Sequence, residues 1–138
     1  MKHAFTLIEL VFVIVVLGIL AGIAAPRLFA TRDDAIIAKA RSDIASIKSA
    51  IVNARNTNML RGQFAYPALE GADNNVLFEG VLQKGIAPNN KSGWTSSGSD
   101  YKFHLRGSEI TFGYDNATGA FDCIAADRGK ELCNQLTK

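Results

Sequence analysis

Phe5-Thr6-Leu7-Ile8-Glu9-Leu10-Val11-Phe12 opens an apolar run that continues to Ala25 and meets a proline at Pro26. Between Phe5 and Ala25 the only charged side chain is Glu9. As a helix rising about 1.5 Å per residue, the run measures about 31 Å, which matches the hydrocarbon core of a bilayer. Length alone leaves three readings. One is a transmembrane helix. Another is a secretory signal peptide, with Lys2 as a minimal basic region and Ala21, Gly22, Ala24 and Ala25 offering a cleavage site. The third, a buried core helix, fits poorly, because a chain of 138 residues makes one modest domain with little room for so long an apolar rod.

Glu9 narrows the choice. A carboxylate inside an apolar helix costs roughly 2.5–3.5 kcal/mol at the membrane centre and less near the interface, so it normally has a partner. A plain signal peptide has no use for it, and neither does a simple anchor.

The stretch Phe5-Thr6-Leu7-Ile8-Glu9-Leu10, behind a short basic leader and ahead of an apolar helix and Pro26, resembles the start of the prepilin family. In that family a membrane peptidase cuts just before the Phe and methylates the new amine. The resemblance implies a cut between Ala4 and Phe5 and N-methylation of Phe5. Ala4 departs from the glycine usual before the cut. Cleavage would create a positive amine four residues from Glu9, in a low-dielectric setting where an unpaired charge is costly. The family's account pairs the Glu of one subunit with the amine of a neighbour, which neutralises both charges and sets the axial register.

The implied function is a structural subunit of a type IV pilus-like filament or a type II secretion pseudopilus. Its partners would be other pilin-like subunits in a homopolymer, prepilin peptidase and an inner-membrane assembly platform. The implied location is the bacterial inner membrane, single-pass, with the soluble domain in the periplasm or in an extracellular filament. Type II secretion, a type IV pilus and a competence pseudopilus all remain open. The rival reading is a secreted binding domain with an ordinary signal peptide cleaved near Ala25.

Gly18, Gly22 and Pro26, spaced four apart, predict a break or kink in the helix. Glycine costs roughly 1 kcal/mol relative to alanine in a helix interior, and proline removes a backbone hydrogen bond. The Gly18-x-x-x-Gly22 spacing also permits close helix packing. Beyond Pro26, residues Ile37, Ala40, Ile44, Ile47, Ile51 and Ala54 recur at spacings of three and four, the stripe of an amphipathic helix. The signal fades through Asn53, Asn56 and Asn58. The chain thus divides into a leader (1–4), a transmembrane or filament-core helix (5–25), the amphipathic half of that helix (26–58) and a globular part (59–138) that completes the soluble domain.

Residues 62–100 are rich in Gly, Asn, Ser and Pro and read as loops, with one short helical candidate at Asn75 to Lys84. Three alternating segments follow: Tyr101, Phe103 and Leu105; Ile110, Phe112 and Tyr114; and Ala120 to about Ala125. Short turns between them predict an antiparallel meander whose apolar face packs on the helix stripe. The expected fold class is α+β, a long N-terminal helix against a small antiparallel sheet, which the pilin resemblance also implies.

Cys123 and Cys133 form a disulfide if the domain is exported, because such bonds persist only in oxidising compartments. Free thiols and a metal site are the alternatives; no CxxC spacing and no nearby histidine support metal. His104, the only histidine beyond the leader, reads as an exposed strand residue. Asp115, Asp122, Asp127 and Glu131 offer oxygen ligands for Ca²⁺, but their spacing is not diagnostic, and no cofactor is expected. Asn116-Ala117-Thr118 matches a glycosylation sequon, though Asn and Gly are at home in a turn. Fifteen basic against thirteen acidic residues give a formal charge of +2, too small and too dispersed to indicate nucleic acid. No nucleophile, base and orienting group assemble from the sequence, so an enzyme is not expected.

Overall fold

The structure is a computed structural model that describes residues 4–73, 75–124 and 129–138, with the backbone alone at 25–30. Residues 1–3 of the expected leader, the end of the third alternating segment at Ala125, and Asp127 lie outside the described residues, as does the Pro26 side chain. The chain forms two compact units, residues 1–35 and 36–138. Helix α1, Leu7–Leu60, contributes its first part to one unit and the rest to the other.

In the first unit α1 runs as α-helix through Gly18 and Gly22, and it keeps that assignment at Pro26. The helix assignment is continuous across all three positions. Strong helix formers on either side outweigh two glycines at roughly 1 kcal/mol each, and the backbone hydrogen bond that proline removes is one among many.

In the second unit Ala40, Ile44, Ile47 and Ile51 form the buried stripe of α1. The helix ends two residues past the sequence expectation, at Leu60. Its cap is built on Gly62, whose φ of 78° suits a residue without Cβ. The Gln63 N–H donates to the Asn58 carbonyl at 2.9 Å and the Gly62 N–H to the Met59 carbonyl at 3.0 Å, which satisfies carbonyls the last turn would leave bare.

Four strands follow: β1 (Ser92–Ser97), β2 (Asp100–Leu105), β3 (Ser108–Asp115) and β4 (Ala120–Ile124). They pair antiparallel in the order β1-β2-β3-β4, a meander. The β2–β3 hairpin closes on Arg106 and Gly107, both with positive φ (51° and 76°), the twist that a two-residue turn between right-twisted strands requires. Inward positions Trp94, Tyr101, Phe103, Leu105, Ile110, Phe112 and Phe121 share one core with the α1 stripe. Phe112 stacks on Phe121 at 5.4 Å between ring centroids, and Trp94 meets Phe112 edge-on at 5.1 Å. The α+β class read from the sequence is the observed one.

Three elements differ from the reading. Residues 75–84 form turns, not a helix: Leu77 pairs with Ile86 in an isolated bridge, and Phe78 turns inward with φ of 61°. Strand β1 occupies a stretch read as loop. Helix α2, Lys130–Thr137, was not foreseen; it buries Leu136 and is tied to β4 by the Cys123–Cys133 disulfide (Cα–Cα 6.1 Å).

Candidate assembly site

The first turn of α1 is closed by two side chains. Thr6 sits before the helix, donating its N–H and its hydroxyl to Glu9 Oε2 at 2.9 and 2.8 Å. In return the Glu9 N–H donates to Thr6 Oγ1 at 3.3 Å. This reciprocal pattern is a capping box, which satisfies donors that a helix start leaves without partners. It places a negative charge at the positive end of the helix dipole. Thr6 is the functional residue that charge and hydropathy do not single out, although a threonine three residues before a glutamate at the head of an apolar run is the signature of this box.

From Phe5 to Ile23 every large apolar side chain is exposed in the isolated chain, Phe5 at 83% and Leu7 at 81% among them. The window Leu7–Ala24 is long and apolar enough to cross a membrane, and none of it is buried. Gly18 and Gly22 face open space where a Cβ would be, so nothing within the chain requires them to be small.

The other sequence-derived residues lie apart from this segment in the chain. Asp115 is engaged in its own turn, accepting from the Ala117 N–H and the Thr118 hydroxyl, both at 2.8 Å; these bonds hold its carboxyl below its usual pKa. Asp122 pairs with Lys48 at 3.0 Å, and Glu131 lies in the first turn of α2. Among the described residues no group of three or more His, Cys, Asp or Glu is placed to hold a metal ion. His104 Nε2 shares a hydrogen bond with the Thr95 hydroxyl at 2.8 Å on the outer sheet face.

Residues 1–25 match the model of the prokaryotic N-terminal methylation motif. Over 97 residues, 70% of this chain, the sequence is 31% identical to the type II secretion system core protein G of Pseudomonas aeruginosa, covering 61% of that protein. It is 44% identical over 50 residues, 36% of this chain, to the protein of the same name from Pectobacterium carotovorum, covering 32% of it. The chain thus spans less than two thirds of either relative's length. No solved structure matches. The chain joins a capped apolar helix that matches the prokaryotic N-terminal methylation motif to an α+β unit, and it is similar over part of its length to type II secretion system core protein G.

Proposed function

We propose that the chain is a structural, non-catalytic subunit of a type II secretion pseudopilus. The observation that carries this is the segment Phe5–Ala24, wholly uncovered in the isolated chain and headed by a carboxylate at Glu9. So much bare apolar surface needs cover, from lipid before assembly and from neighbouring helices after it. Prepilin peptidase cuts between Ala4 and Phe5 and the Phe5 amine is methylated. The chain is then held in the inner membrane with its globular unit in the periplasm, until an assembly platform adds it to the filament. There Glu9 pairs with a neighbour's amine. Gly18 and Gly22, small without internal need, admit close helix approach, and with Pro26 they mark where α1 opens during packing.

The test is intact mass and N-terminal sequencing of protein extracted from the membrane. The expected product starts at methylated Phe5. A start near Pro26 would be that of a secreted domain and would sink the reading.

A further inference from the structure

Two surface features of the 36–138 unit complement each other. The first is a knob at the end of α1. Leu60 is 90% exposed and Phe64 75%, with Arg61 between them. The Gly62 cap holds this turn with two backbone bonds, donated by Gly62 and Gln63, so Leu60 is presented on a fixed turn and Phe64 follows directly after it. The second is a cleft of about 400 Å³, lined by Ile36 and Asp43 of α1, by Ile86 and Pro88 of the loop before β1, and by Trp94 and Phe103. Its size is in the range that holds a bound group.

Asp43 is the half-buried acid of that cleft. Trp94 Nε1 donates to its Oδ2 at 3.2 Å. Lys39, one turn earlier, also borders the cleft and is exposed to solvent. Knob and cleft cannot meet within one chain, because Asp43 and Leu60 lie on one helix, about 26 Å apart along its axis at 1.5 Å per residue.

We propose that the Leu60–Arg61–Phe64 knob of one copy seats in the Asp43 cleft of the next. The Arg61 guanidinium pairs with the Asp43 carboxylate, and Leu60 and Phe64 lie against Ile86 and Pro88. An arginine fork suits a carboxylate that a single tryptophan donor leaves partly desolvated. Because knob and cleft are different patches, the contact is head-to-tail and does not close on itself, so it propagates into an open array. The proposal rests on the filament reading above and names a contact within that filament.

The test uses full-length chains. Two variants, Phe64→Cys and Ala87→Cys, both at exposed positions, are co-expressed and treated with a short bismaleimide. A cross-linked dimer that requires both variants is expected. Filaments that form without this product would overturn the contact while leaving the filament reading intact. In parallel, Asp43→Arg and Arg61→Asp are each expected to lower filament yield about tenfold, as like charges meet across the contact. The double exchange is expected to restore yield to within about threefold. Additive loss in the double variant would overturn the pairing. Absence of filaments from the unmodified chain, under conditions where a known pseudopilin assembles, would instead remove the filament reading.

Discussion

Thr6 donates twice to a single oxygen of Glu9, through its N–H at 2.9 Å and its hydroxyl at 2.8 Å. The glutamate that sequence reasoning reserved for a neighbouring subunit therefore already has a partner in its own chain. The two roles are compatible, since these bonds engage only Oε2. The cap orients the carboxylate at the mouth of the helix, close to where cleavage would leave the Phe5 amine. It also offsets the unfavourable meeting of that positive amine with the positive end of the helix dipole.

Cap and charge can be separated by substitution. Thr6→Ala removes both side-chain bonds but leaves the carboxylate; loss of such a cap costs about 1 kcal/mol of helix stability. It is expected to fray the first turn, read as faster amide exchange in micelles, with a modest fall in filament yield. Glu9→Gln keeps an oxygen acceptor and removes the charge; Glu9→Ala removes both. Both are expected to insert in the membrane and to assemble poorly. Normal yield from Glu9→Gln would show that the cap, not the charge, is what assembly needs.

The Cys123–Cys133 bond closes a short loop and anchors α2. Replacing both cysteines by serine is expected to destabilise the 36–138 unit by about 2–3 kcal/mol on the chain-entropy model. Urea denaturation with and without reductant measures it. Local exchange should rise first in α2, which is also held by buried Leu136, by Leu132 packed against the core and by the Arg41 Nε bond to the Gln135 carbonyl at 2.5 Å. An unchanged midpoint would mean that the remaining contacts hold α2 without the disulfide.

What was legible in the sequence was periodic. The α1 stripe and the alternations of β2 and β3 each bury one face of a regular element, so composition tracks position. Strand β1 escaped because only Trp94 of its six residues is buried, and its neighbours on that face are the small polar Ser92 and Ser96; Ser92, Gly93, Ser96 and Ser97 read as loop. Helix α2 has eight residues and two apolar anchors, Leu132 and Leu136, too few for a pattern. The segment 75–84 misled because Leu77-Phe78 and Val81-Leu82 repeat at a spacing of four. Long-range contacts with the aromatic core decided its shape instead. At the candidate site the glutamate stands out by its charge, whereas Thr6 is hidden by being ordinary.

Phe78 illustrates that override. It is fully buried with φ of 61°, stacked on Tyr101 at 4.3 Å and edge-on to Trp94 at 5.9 Å. A bulky residue in this left-handed region is strained, and here packing outweighs the strain. Phe78→Ala is expected to cost about 3–5 kcal/mol. Phe78→Gly loses the same ring but gains backbone freedom, so it should be less destabilised than Phe78→Ala by about 1 kcal/mol. Urea midpoints of the two variants check the order; equal midpoints would argue against backbone strain.

Asp43 makes opposite demands on the single chain and on the assembly. Burial raises its pKa above the usual 3.8, opposed by the Trp94 hydrogen bond and by Lys39. A carboxyl whose folded pKa exceeds its unfolded one favours folding when protonated. That contribution is fully present below pH 3.8 and is lost as pH rises through the raised value. Asp43→Asn keeps an oxygen for Trp94 Nε1 and removes the ionisation. The isolated domain should therefore be more stable than the parent at pH 7, and the advantage should vanish at acid pH. If the carboxylate also receives Arg61 of a neighbouring copy, the same variant assembles less well at pH 7 while melting at a higher urea concentration. Urea melts at both pH values, set beside filament yield, separate the two effects: a gain in stability with undiminished yield would leave Asp43 as a strained residue with no part in the contact.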